Sequence, residues 1–216
     1  MFTVKDAELL SLLDRMLPRA ECELVFATPY QLLVAVVLSA QCTDKRVNLV
    51  TEKLFAKCPT PEAILALGQE GLESEIKSCG FYHNKAKNIL AATEMLLKEY
   101  GGEVPSDRAL LERLPGVGRK TANVVYAVAF GGDAIAVDTH VFRLSHRLAL
   151  SDATTPRGVE DDLSARFPQK DWSHLHHLLI HHGRYVCKAQ SPRCGECLLQ
   201  AACKYYAENN GESVRS

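Results

Sequence analysis

Apolar side chains recur along most of the chain at the three-and-four spacing of an amphipathic helix, and the strict alternation of a half-buried strand is nearly absent. Leucines at helical spacing predict a helix over Lys5–Leu17 that must stop before Pro18. Thr28-Pro29 and Thr60-Pro61 each set a hydroxyl cap before a proline at the first helical position, which predicts helices over 29–40 and 61–67. The same periodicity predicts helices over 44–57, 84–100, 106–113, 119–130, 139–149, 156–166 and 172–182. The expected fold class is therefore all-α, built from short helices. Gly101-Gly102 and Gly131-Gly132 are the clearest breaks, and the polar stretch Glu208–Ser216 reads as a frayed end. Two lobes sharing a cleft fit this punctuation, but composition alone leaves their boundary open.

With 216 residues, 47% of them hydrophobic and 24% charged, the chain can bury one sizeable core or two small ones, which excludes disordered and fibrous classes. Lys plus Arg number 25 against 26 Asp plus Glu, so the net charge of -1 excludes a basic coat or tail. It does not exclude a local basic face. Residues 1–80 carry 8 basic and 11 acidic side chains and 148–180 carry 3 and 5, whereas 81–147 carry 9 and 7 and 181–205 carry 4 and 1. Two net-positive stretches thus interrupt an acidic chain.

The start, MFTVKDAELL, lacks a basic-then-apolar secretory pattern, and the longest apolar run, Leu32–Leu38, is too short to cross a bilayer. The expectation is a soluble cytoplasmic protein, nucleoid-associated if bacterial. Eight cysteines in such a chain favour metal binding where they cluster. Cys22, Cys42, Cys58 and Cys79 are scattered. Cys187-x6-Cys194-x2-Cys197-x5-Cys203 packs the other four into seventeen residues, with Pro192 and Gly195 helping the chain fold back around a centre. A zinc ribbon usually needs a longer insertion between its paired ligands, so zinc fits this spacing less well than a cubane [4Fe-4S] cluster.

The segment Leu114-Pro115-Gly116-Val117-Gly118-Arg119-Lys120-Thr121-Ala122 joins two amphipathic helices, the first with Ser106 as its expected cap. Its glycines permit a tight turn, and amides at the start of the second helix would face outward where a phosphate oxygen could sit. A lone Gly-x-Gly is equally compatible with a structural αα-corner. Lys120 stands in a first helical turn, where the dipole disfavours a cation, and Asp138 reads as the cap of the helix beginning at Thr139.

Taken with Val137-Asp138-Thr139-His140-Val141, with Leu38-Ser39-Ala40-Gln41-Cys42-Thr43-Asp44 and with the terminal cysteines, this hairpin resembles the endonuclease III family over nearly the whole chain. These are helix-hairpin-helix DNA glycosylases and abasic-site lyases. The resemblance implies two helical lobes flanking a DNA-binding cleft: a six-helix barrel domain over 22–132 that contains the hairpin, and a discontinuous iron-sulfur domain over 1–21 plus 133–216. It implies removal of oxidised or ring-saturated pyrimidines from damaged double-stranded DNA by a monomer without membrane contact.

By the same resemblance Lys120, partly buried in a cleft, is the nucleophile and Asp138 the catalytic carboxylate across the active-site mouth. Gln41 fills the gap left by a flipped base. Phe81 stands where the family usually carries an aliphatic wedge. Gly116, Val117, Gly118 and Arg119 meet phosphate, and His140 hydrogen-bonds in the pocket or serves as a capping or packing residue. Arg184, Lys188 and Arg193 form a basic patch beside the [4Fe-4S] cluster held by Cys187, Cys194, Cys197 and Cys203. An adenine-mismatch glycosylase is disfavoured because that family lacks the matching lysine and carries a further C-terminal domain. A non-catalytic DNA-binding or redox-sensing protein is disfavoured by the presence of both Lys120 and Asp138.

Overall fold

The computed structural model describes residues 6–210. Lys5, the expected start of the first helix, and residues 211–216 of the expected frayed end lie outside the described residues. Among those described there is no strand. The helices are α1 (Asp6–Met16), α2 (Pro29–Ser39), α3 (Asp44–Lys57), α4 (Pro61–Ala66), α5 (Gly68–Ile76), α6 (Tyr82–Glu99), α7 (Arg108–Glu112), α8 (Arg119–Phe130), α9 (Thr139–Arg147), α10 (Pro156–Arg166), α11 (Trp172–Tyr185) and α12 (Lys204–Asn210), joined in places by 3-10 turns. No described helix is long and apolar enough to cross a membrane.

Three details differ from the sequence expectations. Asp107, not Ser106, caps α7: its Oδ1 accepts from the Leu110 amide at 3.0 Å, which moves the helix start to Arg108. Helix α5 escapes the periodicity because its segment, GQEGLESEI, offers only Leu72 and Ile76 as large apolar residues. Both are fully buried, one turn apart. Glu208 and Asn209, expected to be frayed, belong to α12.

The chain forms two compact units, one of residues 23–132 and one of 1–22 with 133–216. The continuous unit is organised around α2. Thr28 caps this helix by accepting from the Gln31 amide, Pro29 stands in its first turn, and every residue from Tyr30 to Leu38 is buried. A helix apolar on all sides has no face for water, and α2 accordingly packs against α3, α6 and α8. Its one buried hydroxyl, on Tyr30, pairs with the Thr93 hydroxyl at 2.7 Å, which avoids the cost of an unpaired polar group.

The discontinuous unit has its own core, in which Leu9 and Leu13 of α1 join Val141 and Leu144 of α9, Leu163 of α10 and Leu175 of α11. Polar contacts register the N-terminal segment on this core. Arg166 Nε donates to Asp6 Oδ1 at 2.7 Å, and the imidazoles of His174 and His181 bond Asp14 Oδ1 at 2.6 Å and the Glu21 carbonyl at 2.8 Å.

Candidate functional site

The turn between α7 and α8 is pinned by Leu114 and Val117, 2% and 4% exposed, with the Val117 amide donating to the Leu114 carbonyl at 3.0 Å. The Val117 side chain and amide are thus both committed within the turn. Gly116 is demanded twice. Its φ of +75° lies in the left-handed region, and a Cβ there would stand 2.6 Å from Asn88 Cβ. Gly118 differs: its φ of -88° and ψ of 175° suit any residue, and an added Cβ would meet nothing within 4 Å. Packing therefore gives no reason for glycine at 118.

Helix α8 then begins at Arg119 with no side-chain cap and no acidic residue in its first turn, so its positive dipole end is unopposed by carboxylate there. The Arg119 guanidinium is 3.7 Å from Glu112 Oε1. Lys120 is exposed, not partly buried as expected, because the first turn of α8 projects beyond the packed face that Ala122 and Val125 present to the core.

Asp138 closes the start of α9. Its Oδ1 accepts from the amides of His140 and Val141, both at 2.8 Å, and Oδ2 lies 3.0 Å from His140 Nδ1. The carboxylate is 14% exposed and the imidazole 30%, so the pair retains one accessible edge. His140 also packs on α11 at Gly183, where a Cβ would come within 2.8 Å of His140 Cβ. His140 therefore both caps and orients. Lys120 and Asp138 belong to different units.

Gln41 and Phe81 share an uncommon backbone state. With φ of 53° and 46° they are two of four non-glycine residues described in the left-handed region, a conformation that costs on the order of 1 kcal/mol or more for such side chains. Both are exposed, Phe81 at 67%, so neither strain nor an aromatic in water is offset by core packing. Lys85 holds the two segments together inside the continuous unit: its Nζ donates to the Leu38 carbonyl at 2.9 Å and to the Cys79 carbonyl at 2.7 Å. Burial pushes the pKa of this ammonium down, with the Cys42 and Cys79 sulfurs opposing.

Cys187, Cys194, Cys197 and Cys203 line one cavity together with His182 and Leu148. Among the described residues no three His, Cys, Asp or Glu side chains converge as for a single metal ion. N–H groups point at the sulfurs: Arg147 Nη1 at 3.2 Å from Cys187 Sγ, the Leu199 amide at 3.4 Å from Cys197 Sγ and the Tyr206 amide at 3.4 Å from Cys203 Sγ. Burial pushes the Cys197 thiol up to about 11, its neighbouring sulfurs adding to the shift, and Cys203 moves the same way. Four thiolates in this cavity therefore call for compensating positive charge.

The loop after Cys187 is held by two residues that no sequence motif singles out. Arg143 donates to the carbonyls of Gly183 and Cys187 at 2.9 and 3.0 Å, and Arg147 to those of Lys188 and Ala189 at 2.8 and 3.1 Å, with its guanidinium 4.1 Å over the Tyr205 ring. Their signal was present: two arginines four apart in the C-terminal half of an amphipathic helix. Lys188 is exposed and Arg184 half-buried. Arg193, though exposed, is committed within the loop, donating through Nε to the Tyr185 carbonyl at 3.0 Å and pairing with Glu196 at 3.1 Å.

Residues 34–169 match the model of the HhH-GPD superfamily base excision DNA repair protein. Among curated proteins, the chain is 54% identical over 208 residues to endonuclease III of Bacillus subtilis (strain 168), covering 94% of each, and 47% identical over 205 residues to endonuclease III of Escherichia coli (strain K12), covering 95% of this chain and 97% of that one. Among solved structures it is similar to a non-covalent endonuclease III–DNA complex, with TM-score 0.91, 50% identity and coverage of 95% and 98%. It is equally similar to a trapped endonuclease III–DNA covalent intermediate, with TM-score 0.90, the same identity and the same coverage.

Proposed function

Because the chain belongs to the endonuclease III family within the HhH-GPD superfamily, and is thus a base excision repair DNA glycosylase and AP lyase, we propose that it removes oxidised or ring-saturated pyrimidines through Lys120. The observation that carries this assignment is the start of α8. A glycine unneeded by packing, an uncapped helix end and an exposed lysine in the first turn stand in succession where a DNA strand can reach them.

The damaged nucleotide is extruded from the duplex, since its sugar carbon is unreachable within the stack. Gln41 and Phe81, exposed and held in left-handed turns, enter the space left behind, and the strain of those turns is the cost of presenting them. The Lys120 amine bonds to C1′ and the base leaves with the glycosidic electron pair. The amine then loses a proton and its lone pair opens the C1′–O4′ bond, O4′ taking a proton, to give a ring-opened iminium. Loss of a C2′ proton from this iminium expels the 3′ phosphate. Desolvation of the exposed amine falls to the bound duplex. Asp138, held by two amides and His140, keeps a fixed carboxylate to stabilise positive charge on the sugar and to relay protons. Gly116 and Gly118 offer backbone to phosphate across a turn that Val117 anchors, and Arg119, Arg184, Lys188 and Arg193 supply positive charge.

The endonuclease III family carries a [4Fe-4S] cluster, and we assign Cys187, Cys194, Cys197 and Cys203 as its ligands here, because they line one cavity with N–H donors facing their sulfurs. The cluster contributes covalent ties that shape the loop from Cys187 to Cys203. Arg143 and Arg147 brace that loop from α9. The iron-sulfur domain corresponds to the discontinuous unit and the hairpin domain to the continuous one, whose boundary falls one residue after the expected 21/22 division. With DNA as its substrate, the protein works in the cytoplasm as a monomer.

Borohydride tests the central step. Incubation with thymine glycol, dihydrouracil or abasic duplexes should give a covalent protein–DNA adduct with the intact chain. Lys120→Ala should lower adduct formation by at least about 10³-fold while duplex affinity changes little. Adduct formation undiminished in Lys120→Ala overturns the assignment.

A further inference from the structure

The turns that present Gln41 and Phe81 also carry two cysteines for which base excision has no use. Cys42 directly follows Gln41 and is partly exposed. Cys79 ends the 3-10 turn Lys77–Cys79 just before Gly80 and Phe81, and is 1% exposed. Helices α3, α4 and α5 separate the two in sequence, yet the fold sets their segments side by side, close enough for each sulfur to feel the other's charge. Lys85, 6% exposed, brackets the pair through the Leu38 and Cys79 carbonyls, and its charge, with that of Arg46, acts on the sulfurs. Tying α2 to the turn explains why a lysine is buried here. It does not explain two sulfurs beside it.

We propose that Cys42 and Cys79 form a thiol–disulfide modification site, whose oxidation by a low-molecular-weight disulfide fastens the Gln41 turn to the Gly80–Phe81 turn. Cations beside a cysteine pair favour the thiolate that performs exchange. Burial pushes the Cys79 thiol up to about 11, so the partly exposed Cys42 is the sulfur that meets the oxidant. Its thiolate attacks one sulfur of the small disulfide, forming a mixed disulfide and releasing one thiol. Cys79 then gives its proton to solvent and attacks the Cys42 sulfur, expelling the second thiol. The pair loses two electrons and two protons, and one small disulfide becomes two thiols.

Closing the bridge brings the sulfurs to about 2.05 Å and the Cβ atoms to about 3.8 Å, which draws the two turns together. The left-handed residues Gln41, Gly80 and Phe81 lie in the segments that must shift. The modification itself is independent of the repair chemistry. Its consequence, weaker lesion binding, rests on Gln41 and Phe81 being the groups that enter the duplex.

The test exposes the cluster-loaded protein to oxidised glutathione, blocks remaining thiols and maps peptides without reductant. The expected result is a peptide pair joined through Cys42 and Cys79, lighter than its parts by two hydrogens and separated by dithiothreitol. In Cys79→Ala the same treatment should leave the Cys42–glutathione mixed disulfide instead. No such linked pair at any ratio of oxidised to reduced glutathione overturns the proposal, as does equal linkage of Cys42 to Cys58. In parallel, the oxidised protein should bind a lesion duplex about tenfold more weakly than the reduced one, a displacement of the inserting groups being enough. The Cys42→Ser, Cys79→Ala double variant should show no such difference and retain borohydride trapping and visible cluster absorption. A cross-link with unaltered affinity overturns the coupling to binding while leaving the modification intact.

Discussion

The two residues assigned to the chemistry both stand at helix starts, and the two starts are finished in opposite ways. At α9 the chain supplies its own anion: Asp138 takes two amides and an imidazole, so the helix end is satisfied and the carboxylate immobile. At α8 no side chain caps the end, the preceding residue is glycine, and the nearest charge in the helix is a cation. One start is closed to orient a group and the other is open to receive one. A cap contributes typically about 1 kcal/mol, so an end left uncapped is stability forgone.

Separating the two roles of Asp138 should produce the largest effect. Asparagine also caps helices, so Asp138→Asn should keep thermal stability close to that of the parent while turnover on an abasic duplex falls by about 10²-fold or more. Asp138→Ala should lose the same activity and, in addition, about 1 kcal/mol of stability. Equal melting temperatures for Asn and Ala variants would show that the cap is not what holds α9.

The units should also part company in acid. Burial, aided by His181 and His174, depresses the pKa of His177 on α11 from 6.5 to about 4. The unfolded chain therefore takes up this proton first. The contribution is complete above pH 6.5 and is lost as pH falls toward 4, with about 2 kcal/mol already lost at pH 5. Urea midpoints at pH 7 and pH 5 should differ less in His177→Gln than in the parent, and an unchanged difference excludes His177 as the source.

The hairpin glycines sharpen the contrast at the open start. Gly116→Ala must adopt a left-handed φ and displace Asn88, and should destabilise by about 2 kcal/mol in denaturant unfolding. Gly118→Asp meets no such obstacle. It should cap α8 and hold or raise stability, yet weaken duplex affinity about tenfold by placing an anion where phosphate belongs. Undiminished affinity in Gly118→Asp would remove the phosphate role from this turn. The smallest effect is expected at Lys188, whose exposed charge should contribute a few-fold in affinity and about one unit of the salt slope when changed to alanine.

Much of this was legible before the structure. Caps followed by prolines located α2 and α4 because those signals are local. The cysteine spacing and the hairpin glycines were visible for the same reason. Helix α5 was hidden because two buried residues in a polar segment do not make a pattern. The cap of α7 was misplaced by one residue because Ser106 and Asp107 are both competent. Arg143 and Arg147 were overlooked because their partners, the carbonyls of 183–189, come from another helix and the loop beyond it.

By itself, the sequence determined most of the helical segments, where glycine breaks them, and the spacing of four thiols, a lysine and an aspartate that carries the family resemblance. Tertiary structure alone decided that Lys120 is exposed, that Gly116 is required by Asn88 while Gly118 is not, and that Cys42 and Cys79 meet across three helices. Helix signals depend on neighbours within a few residues, and the chain carries those in its order. Exposure, close approach and thiol pairing depend on residues far apart in the chain, which become neighbours only when the core forms.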